Sequence, residues 1–574
     1  MGRLSRAGRY LGLRPATATV ASPSGDSAGD DPAGDDSTRW RDRPLDRGLF
    51  VNPVGEGADP FVTRDGDRFL WCQSEGNVAI ALWESDRLTS LGRRHAIWEA
   101  PASGPYAKEV WAPELWQIDE RWYVYFAASD GDNRNHRTYV LRSRTSDPLG
   151  PYDVHGPLFT GDVAGASTAS ATGRDVENMW SIDLTLLHHN GRRFAIWSGW
   201  PRAGEDLQDL YIARMRSPVE IDGTRVRLLE AGGQLWERTE ETADSRGLLE
   251  APQIVTRGSR TFLVYSCAAS WLPTYKMGML ELVGADPMDV NHWTRFPNPV
   301  FQSEGQTCGV GHGSFVRLAN DSWWHVFHAK VDREHGWRRA LFAQPMAWRS
   351  DGIPDLGVPT QPGEALPVPP DTPDRARSDA QQWDFADPAG DALADFDYYG
   401  HHQFIRPSSD GVHLGDEPAA PINAYRTGEK LMVRDGSYAD LRVTASLRFM
   451  GGHQDAGVLF RTTAPSVGFD AQRGYFASIV PGRQSLLLGK TNGRAWTELA
   501  HVPLPFQTDR SHTLTVIAVG DTIEITAAGE QSNAEVIAHI RHRDGDYPTG
   551  SVGLRVVDTH ACFASLTIAP ILSP

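Results

Sequence analysis

Five short stretches in the N-terminal part of this chain repeat one pattern. Each is a polar turn followed by an apolar run built around an aromatic residue. They are DRFLWCQS at Phe69, RWYVYFAAS at Tyr123, RRFAIWSGW at Phe194, RTFLVYSCAAS at Phe262 and SWWHVFHAK at Trp324. A second run follows each one, such as TYVLRSR or LYIARMR. The aromatic anchors stand about 54 to 71 positions apart. One repeat of this kind cannot bury its apolar face alone, so neighbouring copies must stack. Short strands at near-regular spacing with an aromatic signature indicate a β-propeller, and five units give five blades.

Upstream of each anchor, an earlier strand opens with a polar or aromatic residue. These are Asp59 in GADPFV, Trp111 in VWAPEL, Asp183 in WSIDLTLL, Glu250 in LLEAPQIV and His312 in GVGHGSFV. The innermost strand of every propeller blade runs along the central axis. Five equivalent positions on those strands are therefore expected to surround one axial funnel. Burying an unpaired carboxylate is costly, so Glu250 between a leucine pair and an apolar strand makes sense as a group opening onto such a cavity.

Composition agrees with an all-β chain and narrows its partners. The 56 glycines, 38 prolines and 19 tryptophans suit many turns and large aromatic surfaces. At 574 residues the chain is too long for one ordinary core. A net charge of −17 leaves no basic footprint, so no nucleic acid and no anionic membrane is expected as a partner. No apolar run reaches the roughly 18 residues a membrane helix needs. Residues 1–45 are small and polar and are expected to be disordered. Their first part, MGRLSRAGRYLGLRPATATVA, lacks the continuous apolar region of a secretory signal, and Arg6 breaks the myristoylation pattern. This favours a cytoplasmic location, or a secreted one if the start is mis-called. The four cysteines have no metal spacing and read as buried thiols. A monomer is expected.

Three carboxylates and an imidazole around an aromatic-walled funnel suit glycoside hydrolysis. That reaction needs one protonated acid for the leaving oxygen and one carboxylate to activate water or attack carbon. Close like charges raise the pKa of one member and keep it protonated. The segments ADPFV, WAPEL, SIDLTLL, EAPQIV and GVGHGSF, in that order, resemble glycoside hydrolase family 43, five-bladed enzymes that cleave arabinosides and xylosides with inversion. The resemblance implies Asp59 as general base, Glu250 as general acid, and Asp183 as the residue that raises and orients that acid. It implies that His312 lies near a calcium or sodium ion through water; a pocket histidine without metal is the other reading. Trp111 is either a sugar-stacking wall or core packing. Arg338 or Arg339 matches a basic pocket position, and Arg339 is taken here. Glu114 is left out of catalysis. No cofactor is required for the chemistry.

The wording of the motifs looks most like members that release terminal α-L-arabinofuranosyl groups. The alternatives are a β-xylosidase or endo-arabinanase of the same family, and a binding propeller without catalysis. A β-fructosidase would carry NDPNG and RDP, which are absent. The substrate expected is an arabinose- or xylose-containing oligosaccharide or polysaccharide. The Asp59 and Glu250 carboxyls are expected about 6.5–9.5 Å apart, the spacing of an inverting pair.

The propeller is placed at residues 46–357 and a proline-rich linker at 358–382. From 383 to 574, alternating apolar and polar runs bounded by Gly, Asn and Asp turns indicate an antiparallel β-sandwich. It resembles a laminin-G or concanavalin-like jelly roll. Such a module either binds sugar, raising the effective substrate concentration, or packs on the propeller without binding anything.

Overall fold

A computed structural model describes residues 44–162, 178–387, 391–415, 428–506, 510–529 and 536–571. The expected disorder of the N-terminal segment falls almost wholly outside these residues. Among them, every regular element is a strand or a short 3-10 turn.

The described residues form the five blades and the sandwich. Blades I to IV are antiparallel four-stranded sheets whose innermost strands are Phe61–Asp65, Lys108–Ile118, Ser181–His189 and Leu249–Arg257. Blade V starts at Cys308–Arg317 and takes an outer strand from before blade I: Gly55 pairs with Leu341 and Glu56 with Ala340. This exchange closes the ring and removes an open sheet edge there.

Burial follows from position within a blade. In the second strand of blade II, Arg121–Ser129, every residue after the first is buried, because neighbouring blades cover both faces. Its apolar run is therefore continuous rather than alternating. An outer strand such as Arg93–Glu99 is largely exposed and carries charge. The core lies between the blades. Trp71 and Trp83 of blade I pack with Trp324 and Val326 of blade V. The anchors Tyr123, Phe194 and Phe262 fill the corresponding gaps II/III, III/IV and IV/V. Each buried aromatic contributes roughly 1.5–3 kcal/mol relative to exposure.

Ala365–Pro367, within the proline-rich stretch, pairs with Leu49–Val51 and ties it back to the propeller's entrance. The C-terminal part has one eight-stranded and one seven-stranded antiparallel sheet facing a shared core. Leu441–Gly452 shows why: its inward residues Leu441, Val443, Ala445, Leu447 and Phe449 are buried and those between them are not. The sandwich packs directly on the propeller. Ser90 Oγ donates to Asp397 at 2.7 Å, Ser466 Oγ donates to the Pro53 carbonyl at 2.6 Å, and Arg87 pairs with Asp435.

Candidate active site

The innermost strands carry a local irregularity where the motifs lie. Asp59, Ala112, Asp183, Ala251 and His312 all have left-handed φ, between 42° and 55°. Ladder register shifts at the last four, between Trp111 and Glu114, Ile182 and Thr185, Glu250 and Gln253, and Gly311 and Ser314. Each is a β-bulge, where an extra residue faces one partner and the strand bends. A non-glycine residue in this region costs of order 1–3 kcal/mol, and such strain is concentrated at functional sites.

This corrects the expectation of five equivalent positions. Asp59, Asp183 and His312 occupy the left-handed position of their blades. Trp111 and Glu250 stand one residue earlier, equivalent to Ala58, Ile182 and Gly311. A bulge breaks strict in-out alternation, so neighbours at both offsets can face the axis.

All five, with Arg339, line one cavity of about 840 Å³. Asp59 is held from three sides. Arg339 Nη1 donates to its Oδ1 at 2.9 Å, His312 Nδ1 lies 3.2 Å from the same oxygen, and the Asp59 backbone N–H donates to His328 Nδ1 at 3.1 Å. Burial alone would raise the Asp59 acid, but the Arg339 guanidinium, with its neighbours, holds it well below the usual carboxylate range. His328, buried and stacked on Tyr275 at 5.6 Å, is pushed down to about 3 by burial and is neutral.

The other two carboxyls shift the opposite way. Burial raises Glu250, and the Asp59 charge adds to this, while the Tyr275 hydroxyl and Gln208 amide partly offset it. Gln208 Nε2 reaches Glu250 Oε2 at 3.2 Å. Burial, then the charges of Glu250 and Asp59, raise Asp183. Asp183 Oδ2 accepts the Ala251 N–H at 3.1 Å, which ties it to the residue following Glu250. The site thus holds one carboxylate kept ionised and two carboxyls that favour their protons.

His312 is fixed by its own N–H, which donates to Ser266 Oγ at 2.8 Å. Its Nδ1 is 4.0 Å from Asp183 Oδ2 as well as near Asp59. Calcium takes six to eight oxygen ligands. On this side of the ring, the Asp59 oxygen that His312 faces is already bound to a guanidinium, so an ion here would meet His312 through water rather than through direct ligation by these two side chains. Trp111 lines the cavity while its ring stacks on His136 at 3.9 Å, so one face packs and the residue borders the pocket.

Glu114 lies beneath the floor, 3 % exposed. It accepts from Trp116 Nε1 at 2.9 Å and from Gln253, and burial pushes it up to about 8. Glu114, Thr185 and Gln253 each stand two residues after the left-handed position of their blade, so they form a second layer linking blades II, III and IV.

Sequence reasoning missed several lining groups. Trp180, Trp271 and Trp337 add aromatic surface, and Arg246 supports Gln208. Tyr398, His401, His402 and Gln403 come from the sandwich. Glu429 pins their segment by accepting from the Tyr398 hydroxyl and from the His401 N–H at 2.8 Å. His401 Nε2 is 3.5 Å from Glu56 of blade V. Burial raises Glu56 well above the usual carboxyl range and lowers His401 to about 4, so the imidazole in this contact is neutral near pH 7.

Residues 50–354, the whole ring of blades, match the glycosyl hydrolases family 43. The chain belongs to that family. Among the relatives of this family 43 chain is an extracellular exo-α-(1→5)-L-arabinofuranosidase from Streptomyces avermitilis, 30 % identical over 331 residues, covering 55 % of this chain and 64 % of the relative. An α-L-arabinofuranosidase from Humicola insolens is 29 % identical over 338 residues, covering 55 % and 64 %. The matched region thus spans a little under two thirds of these relatives. A solved α-L-arabinofuranosidase structure from Lactobacillus brevis has 25 % identity and a TM-score of 0.48, covering 54 % of this chain and 97 % of that one. Among the described residues, no helix is long and apolar enough to cross a membrane.

Proposed function

We propose that the chain is an inverting glycoside hydrolase that releases terminal α-L-arabinofuranosyl groups from plant-type polysaccharides or oligosaccharides. The observation that carries this is the opposed shift of Asp59 and Glu250 in one cavity. Environments that push the pKa values of two titratable groups apart mark base and acid. Asp59, ionised by Arg339, takes the proton of the attacking water. Glu250, held protonated, gives its proton to the leaving oxygen. Burial and the Asp59 charge keep Glu250 protonated, and Asp183, through the Ala251 N–H, holds that acid in place and, when ionised, adds to the raising of its pKa. The carbon is attacked once, so the product anomer is inverted. No metal ion takes part in these steps; an axial calcium or sodium ion stays a structural proposal, with His312 as its nearest residue.

The relatives' names support arabinofuranoside as the sugar, and those named extracellular support the secreted branch of the localisation reading. The cavity support from Tyr398–Gln403 favours a sandwich that walls the pocket over one that binds sugar separately.

Hydrolysis of p-nitrophenyl α-L-arabinofuranoside and β-D-xyloside by wild type and Asp59→Asn tests the assignment. Turnover of the arabinoside that is lost in the variant supports it. A preference for the xyloside keeps the mechanism and replaces the sugar. Initial release of the retained anomer, read by proton NMR, would overturn inversion.

A further inference from the structure

Outside the catalytic funnel, the eight-stranded sheet of the sandwich brings together three side chains of different chemistry. Asp410 sits in the turn between strands Ile405–Ser408 and Gly411–Leu414. His413 lies on the second of these. Cys562, on Thr559–Pro570, is paired directly opposite His413 in the ladder. Directly opposed residues share one face of a sheet. One donor atom from each of the three lies within 4.8 Å of the other two. Asp410 is exposed, His413 is half-buried and Cys562 is buried, so the cluster opens to solvent and has a thiol floor.

The hydrogen-bond roles around His413 follow from what each group can donate. Arg406 Nη2 lies 3.3 Å from His560 Nε2. A guanidinium only donates, so His560 Nε2 accepts. His413 Nδ1 lies 2.9 Å from the same nitrogen and must carry the hydrogen between them. In a neutral ring, His413 Nε2 is then left with a lone pair. That atom faces Asp410 Oδ1 at 3.1 Å, and an ionised carboxylate offers only lone pairs. Something positive belongs between them.

We propose that Asp410, His413 and Cys562 bind a zinc-class divalent cation that staples the Ile405–Leu414 hairpin to the C-terminal strand. A thiolate, an imidazole and a carboxylate are the ligand types zinc takes, and a thiolate disfavours calcium and magnesium. Zinc–nitrogen and zinc–oxygen bonds of about 2.0–2.1 Å at tetrahedral angles place such ligands about 3.3 Å apart, near the observed spacing. A ligating histidine normally passes its other N–H to an outer partner, which His560 provides. Thiolate and carboxylate together neutralise the ion. Arg448 Nη2 holds the other Asp410 oxygen, Oδ2, at 2.6 Å, and Arg406 contacts His560 rather than a ligand. The Ser408 hydroxyl also donates to Asp410 Oδ1, and the Cys562 thiol lies 3.5 Å from the Asp410 carbonyl until it is deprotonated. Three protein ligands leave a fourth position for water.

The test uses the full chain, stripped with chelator, dialysed against zinc or cobalt(II), and compared with Cys562→Ser and His413→Gln. The expected result is one retained metal per chain, with a thiolate-to-cobalt charge-transfer band, and at least a tenfold loss of affinity in either variant. Circular dichroism of the metal-free variants shows whether they are folded. Should Cys562→Ser fail to fold, the charge-transfer band in wild type and its loss in His413→Gln decide the matter. Failure of wild type to retain either metal at micromolar concentration would overturn the site and leave an imidazolium bound to Asp410. Retention unchanged in a folded variant, or cobalt bound without the thiolate band, would overturn it equally.

Discussion

Arg339 and Asp59 come from blade V and the entrance to blade I, 280 positions apart, yet the guanidinium Nη1 lies 2.9 Å from the carboxylate Oδ1. The pair spans the point where the ring closes. A buried carboxylate without this cation would be raised; with it, Asp59 lies far below the ordinary range. The base therefore stays ionised at acidic pH, and the acidic limb of kcat/KM falls at unusually low pH. In Arg339→Met, burial is opposed only by the weaker His312 and His328 contacts. The folded-state pKa of Asp59 rises, and protonation removes activity at a higher pH. An opposite charge at this range shifts a carboxyl by about 1–3 units, so the acidic limb is expected to move up by roughly one unit or more. A pH–rate profile of the variant checks this; an unmoved limb with only a lower plateau would reduce Arg339 to a substrate contact.

Glu250→Gln removes the proton donor while keeping shape and the Gln208 contact. General acid catalysis contributes typically 10²–10⁴-fold. That loss is expected on arabino-oligosaccharides, whose leaving alkoxide needs a proton. A nitrophenolate leaves unaided, so turnover of the aryl arabinoside should fall far less. Equal losses on both substrates would place the role of Glu250 elsewhere.

Glu114 gives a stability signature distinct from catalysis. Its folded pKa, pushed up to about 8 by burial, exceeds the unfolded value near 4.5. The folded state thus holds a proton that the unfolded chain releases over this window. The stabilisation is complete below about pH 4.5 and is lost as pH rises towards 8, by up to about 1.4 kcal/mol per unit. Glu114→Gln mimics the protonated form. Between pH 5 and 8, its urea midpoint should fall less than that of wild type, and taking the difference between the two removes the contributions of Asp183 and Glu250. Parallel pH curves would mean that Glu114 does not hold its proton.

The blades were legible because the aromatic anchors that fill the gaps between them recur in the chain. The catalytic candidates were legible because each opens an innermost strand. Their relative offset was not. Residue counting cannot see that Asp183 carries the left-handed φ itself whereas Glu250 precedes the alanine that does. Ala112 and Ala251 carry no sign of that conformation, since alanine is not a residue that favours it. The exchange of Gly55–Glu56 into blade V was hidden because two residues make no pattern. Tyr398–Gln403 was hidden for another reason: it reaches the funnel from a different domain, and nothing local in YYGHHQ points to a pocket.

That segment offers the remaining prediction. Gln403 and His402 border the cavity without touching Asp59, Asp183 or Glu250 in any hydrogen bond or ion pair seen among the described residues. If the sandwich walls the pocket, they meet the part of a substrate beyond the sugar that is cleaved. Gln403→Ala should then raise KM for arabino-oligosaccharides several-fold while leaving kcat on the aryl arabinoside within about twofold, since uniform binding lost from a remote group appears in KM. Loss of kcat on both substrates would instead make the segment a brace for the axial residues. No change on either would leave the sandwich outside the site and return it to a separate binding role, measurable as retention of the Asp59→Asn enzyme on insoluble arabinan.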